Sequence, residues 1–323
     1  MKNNKQPLRV LVVSEELPQY QALLQQAEPG ADQVAFCFGE TDEQAQAFAP
    51  KAQVLFGDPD RILPLLEHCG PRLRWIQSSW AGVAPLVPAL QGRSEAPLLT
   101  NIRGVFGPLM AEYLFTYLLA HERRLIERWQ SQQQRCWDSR PGGTLQGKTL
   151  GLLGLGSIGS HVAAVARALG LRVLGCSRSA PAPGLVDAHF VTAEFGQMLG
   201  QVDYLLCTLP STPETRNLLD GPMLERMRPG AVLVNAGRGD LIDDQAVVNA
   251  LKQERLGAAV LDVFRQEPLP SSHPFWDTPG LLISGHSAAP SYPQQVVPIF
   301  LDNLQRYQAG QALHFQVDLD RGY

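Results

Sequence analysis

The chain has 323 residues, with 27 Lys and Arg against 31 Asp and Glu for a formal net charge of −4, and 45% of its residues are hydrophobic. At roughly 150 residues per domain this length accommodates about two domains. The pI near 6.0 excludes the basic footprint of a nucleic-acid partner, and no apolar run reaches the roughly 20 residues of a membrane span. The start, Met1 to Pro7, runs straight into an apolar strand, so no signal peptide is expected and a cytoplasmic location is. Cys37, Cys69, Cys136, Cys176 and Cys207 are odd in number, scattered and without a C-x-x-C pair. That excludes a disulfide framework and a cysteine zinc site, and fits reduced thiols acting as small hydrophobes.

In chain order, Leu8–Val13 is a continuous apolar run and reads as a buried strand. A helix over Gln19–Ala27, stopped at Pro29-Gly30, follows. Strands at Val34–Phe38 and Gln53–Phe56, a helix over Arg61–His68 and a strand at Leu73–Gln77 come next. Short apolar strands separated by helices predict a parallel sheet covered on both faces. Apolar residues at Leu114, Leu118, Leu125 and Trp129 predict one long helix from Pro108 to Gln134. Past the break at Ser139-Arg140-Pro141-Gly142-Gly143 a second series begins. Its strands are Thr149–Leu153, Arg172–Cys176, Tyr204–Cys207, Ala231–Asn235, Ala258–Leu261 and Leu281–Ser284, with helices over Ile158–Leu169, Glu194–Leu199 and Asp243–Gln253. A helix over Pro293–Gln308 and a tail from Leu313 close an α/β chain of two parallel-sheet domains.

Gly154-Leu155-Gly156-Ser157-Ile158-Gly159 matches G-x-G-x-x-G between a predicted strand and a predicted helix. There the first glycine permits the tight turn, the second lets backbone approach a pyrophosphate, and the third lets helix and strand pack closely. The N–H groups opening the helix then face the anion. Gly142 to Thr149 also fits G-x-x-x-x-G-K-[ST], but a phosphate loop of that kind needs a strand before it and a helix after it. Here a polar break precedes and a strand follows, so Lys148 and Thr149 are read as the start of that strand. At the end of the second strand, where an NAD site places Asp or Glu, stand Ser177, Arg178 and Ser179. Hydroxyls and a guanidinium suit a 2′-phosphate, so NADP is the preferred cofactor and NAD the alternative.

Three later strands end in polar residues: Asn235 to Asp240 with Arg238, Asp262 to Pro270 with Glu267, and Ser284 to Ala289 with His286. In open α/β sheets ligands bind beyond the carboxyl ends of the strands. Reduction of a 2-keto acid needs hydride at the carbonyl carbon and a proton at its oxygen. Histidine is the usual donor near neutral pH, and a neighbouring carboxylate stabilises its imidazolium. Arginine binds the substrate carboxylate and polarises the carbonyl. The histidines at 68, 121, 161, 189, 273 and 314 lack paired metal spacing, and no metal is expected; His161 and His189 are read as structural or exposed.

On these stretches, with Leu209 to Thr215, Ala81-Gly82-Val83, Thr100-Asn101 and Ala111-Glu112-Tyr113, the sequence resembles the D-isomer-specific 2-hydroxyacid dehydrogenase family over nearly its whole length. The resemblance implies a catalytic set of Arg238, Glu267 and His286. It implies that backbone N–H groups of Ala81, Gly82 and Val83, with Arg238, hold the substrate. Thr208 and Pro210 would line the cofactor, and Asp262 and the Ala236 backbone would face its carboxamide. It also implies a flavodoxin-like substrate domain (1–100 plus 288–323), a Rossmann cofactor domain (101–287), a cleft between them, and a homodimer formed through the long helix.

Three positions depart from the family pattern. Gly285 replaces the usual proline before His286 and is expected to loosen it. Ala84 replaces a common Asp, a position expected to be structural. Trp80 replaces a frequent glycine, and either narrows the substrate pocket or points into the core. Glu267, where related formate dehydrogenases carry Gln, argues against formate oxidation. The resulting expectation is an NADPH-preferring reductase of glyoxylate or hydroxypyruvate giving the (R)-hydroxy acid. The rival readings are an NAD(P)-sensing corepressor-like protein and a catalytically decayed relative.

Overall fold

A computed structural model describes residues 6–27, 33–93 and 95–322; the Pro29-Gly30 helix stop lies outside the described residues. The chain divides into two compact units, one of Met1–Val105 with Ser291–Tyr323 and one of Phe106–Pro290.

In the first unit, strands β1 (Leu8–Val13), β2 (Val34–Phe38), β3 (Val54–Gly57), β4 (Trp75–Ser78) and β5 (Leu98–Thr100) pair in the order β2-β1-β3-β4-β5, all parallel. This is the flavodoxin-like order. Because successive residues point to opposite faces, Leu11, Leu55 and Ile76 pack with Ile62 and Leu86 on one side. Phe56 and Trp75 face the other, where they stack on Phe300 with ring centroids 4.1 and 5.5 Å away. Phe300 belongs to the helix Pro293–Gln308, which therefore completes this unit's core. The tail returns to the sheet: the Val317 N–H donates to the Leu99 carbonyl at 2.8 Å and Asn101 N–H to that of Phe315 at 3.1 Å.

The Arg61–His68 expectation shortens to a helix at Pro59–Ile62 and a 3₁₀ turn at Leu63–Leu65. Pro64 lacks the N–H that would continue the α-helical ladder. A helix over Asp42–Phe48, too polar to show a stripe, is capped by Thr41, whose hydroxyl accepts from the Gln44 N–H.

The second unit holds β6 (Thr149–Leu153), β7 (Arg172–Cys176), β8 (Ala188–Phe190), β9 (Tyr204–Cys207), β10 (Ala231–Asn235), β11 (Leu256–Leu261) and β12 (Leu281–Ile283). Their order is β12-β11-β10-β9-β6-β7-β8, again all parallel. This is the dinucleotide-binding order with one strand added, and its reversal falls between β6 and β9.

The single helix expected from Pro108 to Gln134 is instead two, Gly107–Glu122 and Leu125–Gln133, separated by Arg124 at φ 54°. The cause is a distant loop. The Gly143 N–H donates to the Glu122 carbonyl at 2.7 Å and takes the acceptor that would carry the helix onward. The buried Glu122 carboxylate also accepts from Lys148 Nζ at 2.6 Å and Tyr204 OH at 2.7 Å. Lys148 thus serves an internal ion pair, and Thr149 opens a strand as expected. Among the described residues no helix is long and apolar enough to cross a membrane, and no group of three or more His, Cys, Asp or Glu could hold a metal.

Removing Lys148 leaves the buried Glu122 carboxylate without its cation. Lys148→Ala is therefore expected to lower stability by about 2 kcal/mol in urea unfolding, with nucleotide affinity unchanged. Lost nucleotide binding at full stability would restore Lys148 as a phosphate ligand.

Candidate active site

The loop after β6 is shaped by its glycines. Gly154 adopts φ 109°, where a Cβ would stand 2.8 Å from Thr208 Oγ1. At Gly159 a Cβ would lie 2.0 Å from the Gly154 carbonyl oxygen, so any side chain would push the helix Ser157–Ala168 off the turn. A Cβ at Gly156 would meet nothing within 4 Å, and Gly156 and Ser157 are exposed while Ile158 is half-buried. Gly156 caps the helix with no side-chain bond, leaving its opening N–H groups to an anion. The neighbouring loop starts at Thr208, whose N–H and hydroxyl both donate to the Leu153 carbonyl, at 2.9 and 3.2 Å. The Pro210 carbonyl accepts from the Thr215 hydroxyl at 2.7 Å. Backbone cradle and open helix end fit a dinucleotide pyrophosphate.

Beyond β10, β11 and β12 the polar residues converge. Asp262 is 2% exposed. Its Oδ1 accepts from Ser284 Oγ and the Ser287 N–H, each at 2.8 Å, and its Oδ2 from the Ala288 N–H at 3.1 Å. Its carbonyl takes the His286 N–H at 2.8 Å. With the Ser284 proton given to Asp262, the Ser284 oxygen accepts from Tyr113 OH at 2.7 Å; burial raises this phenol above its ordinary value and keeps it protonated. His286 is held at φ 52°, with Nδ1 2.8 Å from Glu267 Oε2. Glu267 Oε1 in turn accepts from the Phe264 N–H at 2.8 Å. The His286 side chain keeps 58% exposure, so Nε2 is open to a reactant.

Arg238 stands beside this pair. The Asn235 side chain closes the turn that carries it, donating to the Arg238 carbonyl at 2.9 Å and accepting from the Gly237 N–H at 3.2 Å. Burial lowers the Arg238 guanidinium from its ordinary value, against the opposing charges of Glu267 and Asp240. It remains a cation at working pH, since arginine starts so high. Ala236, half-buried, donates its N–H to the Cys207 carbonyl at 3.2 Å.

Past β7, Ser177 is half-buried while Arg178 and Ser179 are exposed. Ser177 Oγ donates to the Ser179 carbonyl at 2.7 Å and lies 3.0 Å from His189 Nε2. The Glu214 carboxyl sits below its ordinary range through its own backbone N–H, the Thr212 hydroxyl and the charge of Arg178. The charge of Arg178, in the loop after β7, thus reaches the loop after β9.

Ala81, Gly82 and Val83 lie in the first unit. Among the described residues their N–H groups donate to no internal acceptor. The loop is held from behind: Asn101 Nδ2 donates to the Ala81 carbonyl at 2.8 Å, and the buried Ser79 hydroxyl to Asp58. Trp80 is 37% exposed, so its core alternative is corrected. The looseness expected from Gly285 is corrected too, because Asp262 fastens the residues on its C-terminal side. The sequence reading passed over Ser284, Tyr113, Asn235 and His189 as site residues. For Ser284 and Asn235 the position at a strand end was the available signal, and for Tyr113 its place on the helix before the sheet; His189, in the middle of β8, offered none.

Glycine turns at such a reversal bind dinucleotides, and the second unit is accordingly the nucleotide-binding domain of an oxidoreductase. The family model described as D-isomer specific 2-hydroxyacid dehydrogenase, NAD binding domain, matches residues 115–288. The chain is 36% identical over 214 residues to glyoxylate/hydroxypyruvate reductase A of Serratia proteamaculans (strain 568), covering 66% of this chain and 68% of that one. A crystal structure of a D-isomer specific 2-hydroxyacid dehydrogenase family protein from Aeromonas salmonicida subsp. salmonicida A449 matches with a TM-score of 0.92 at 39% identity, covering 98% of this chain and 100% of that one. An NADPH-dependent glyoxylate/hydroxypyruvate reductase from Sinorhizobium meliloti, in complex with NADP and sulfate, matches at TM-score 0.85 and 25% identity, covering 98% and 100%. The chain belongs to the D-isomer-specific 2-hydroxyacid dehydrogenase family and is an NAD(P)-dependent oxidoreductase.

Gly285 lies outside the left-handed region, and a Cβ there would meet nothing within 4 Å. Gly285→Ala is expected to keep kcat while raising stability by about 0.4–1 kcal/mol through a stiffer unfolded chain. A fall in kcat would show that the loop uses the freedom of glycine.

Proposed function

We propose that the chain reduces a small 2-keto acid, of the glyoxylate or hydroxypyruvate type, to the (R)-2-hydroxy acid, with NADPH preferred over NADH. The observation that carries this reading is the 2.8 Å bond from His286 Nδ1 to Glu267, beside the half-buried Arg238 at the ends of a dinucleotide-binding sheet. The bound nicotinamide supplies the hydride. Glu267 fixes the imidazole so that Nε2–H faces the reactant, and stabilises the imidazolium form. His286 gives that proton to the carbonyl oxygen as it gains negative charge. Arg238 holds the substrate carboxylate and polarises the carbonyl, an interaction strengthened by its partial removal from water. In the first unit the open N–H groups of Ala81, Gly82 and Val83 suit a carboxylate, and the exposed indole of Trp80 next to them favours small substrates. Asp262 and the Ala236 backbone face the carboxamide.

Ser177, Arg178 and Ser179 at the end of β7 support the NADPH preference, because none of the residues that end this strand is a carboxylate that would repel a 2′-phosphate. The relatives named for glyoxylate and hydroxypyruvate support the substrate class. Leu119, Leu125, Ile126 and Trp129 are 43, 59, 44 and 61% exposed. Their apolar surface supports a homodimer through these helices. The five free cysteines fit a reducing cytoplasm.

The test is NADPH and NADH oxidation with glyoxylate, hydroxypyruvate, pyruvate and phenylpyruvate in parallel. NADPH turnover fastest with the first two supports the reading, and no turnover with any acid overturns it. Arg178→Ala is expected to raise the KM for NADPH about tenfold, the loss of one charge-assisted contact, and to leave that for NADH nearly unchanged. Equal effects on both would remove Arg178 from the 2′-phosphate site.

A further inference from the structure

The hydroxyl of Ser177 has one proton, and the Ser179 carbonyl, 2.7 Å away, can only accept it. That proton is therefore directed within the turn. The remaining contact of Ser177 Oγ, 3.0 Å to His189 Nε2, is then an N–H donated by the imidazole, which places the His189 ring proton on Nε2. The backbone repeats the tie, since the Ser177 N–H donates to the Phe190 carbonyl at 3.2 Å. His189 pairs in register with Gly175 on β7, so the two share a face of the sheet. A side chain at Gly175 would collide with Leu155 of the glycine loop, its Cβ falling 2.6 Å from Leu155 Cδ1. His189 thus sits one strand out on the face that carries the pyrophosphate turn, and locks the next turn beside it.

We propose that His189 is a positioning residue for recognition of the 2′-phosphate. It holds the Ser177 hydroxyl, which draws in the Ser179 carbonyl and fixes the tight turn that presents Arg178 and Ser179 as donors. This inference rests on the NADPH reading above. It also changes the part played by Ser177, whose hydroxyl shapes the turn while phosphate contacts fall to Arg178 and Ser179. An adenosine carrying only a 2′-hydroxyl gains little from that turn, so loss of the clamp discriminates between the two nucleotides.

The test is calorimetric titration of the full chain with adenosine 2′,5′-bisphosphate and with adenosine 5′-monophosphate. His189→Ala is expected to weaken the bisphosphate about fivefold, the worth of one neutral hydrogen bond, and the monophosphate by less than about twofold. His189→Gln, whose amide N–H can take the place of Nε2–H, is expected to recover most of the loss. If His189 acts through Ser177, the double variant with Ser177→Ala is no weaker than the stronger single effect. Should His189→Ala fold poorly, Ser177→Ala alone must show the same selective loss. Equal weakening of both ligands, or of neither, overturns the clamp while the wild-type preference stands. A wild type that binds the two nucleotides alike overturns the NADPH reading, and the clamp with it.

Discussion

At the carboxyl end of β11, a single buried carboxylate gathers three donors from the loop after β12, and the carbonyl of the same residue takes a fourth. Asp262 thereby binds Ser284 Oγ and the N–H groups of Ser287 and Ala288, while its backbone accepts from His286. A carboxylate that is 2% exposed is costly unless its oxygens are filled. This one is filled almost wholly by the segment that carries His286, the proposed proton donor. The loop can relax only by leaving Asp262 unsatisfied. His286 consequently keeps its left-handed backbone and its bond to Glu267 even though glycine precedes it.

The parallel sheet makes the rest follow. Every strand of the second unit ends on the same side, so the glycine turn, the Ser177 turn, Thr208, Arg238, Glu267 and His286 share one edge without any long-range search. Register then sets the fine placement. Gly237 and Gly239 let the loops after β9, β10 and β11 approach to backbone contact: a Cβ at Gly239 would fall 2.0 Å from the Phe264 carbonyl carbon. Close approach of these loops is what brings the charge of Glu267 to bear on Arg238, to which Asp240 adds from the same loop.

Much of this was legible in the sequence because it is local. β1, β2, β6, β7, β9 and β10 stand where continuous apolar runs put them, and the glycine motif announced its own turn. Edges were harder. β5 and β8 are three residues each, too short to show a period and only partly buried. Interactions between distant residues were not readable at all. The helix breaks at Arg124 because Gly143 takes the Glu122 carbonyl, and Glu122 itself is satisfied by Tyr204, 82 residues away. Likewise nothing in the spacing of Asp262 and Ser284 shows that one fastens the other, and His189 acquires its partner only when β8 lies beside β7. Arg238, Glu267 and His286 were legible as residues following the ends of strands; what holds them in place lay in contacts across the sheet.

The central claim is that His286, oriented by Glu267, delivers the proton that accompanies hydride transfer. Single-turnover oxidation of bound NADPH by glyoxylate, followed in His286→Ala with and without added imidazole, tests it most directly. The rate should fall by about two to four orders of magnitude, the usual worth of a positioned general acid, with bound NADPH still detectable, and free imidazole should restore part of it. A variant that oxidises NADPH at the wild-type rate would contradict the assignment, as would one that imidazole leaves unchanged.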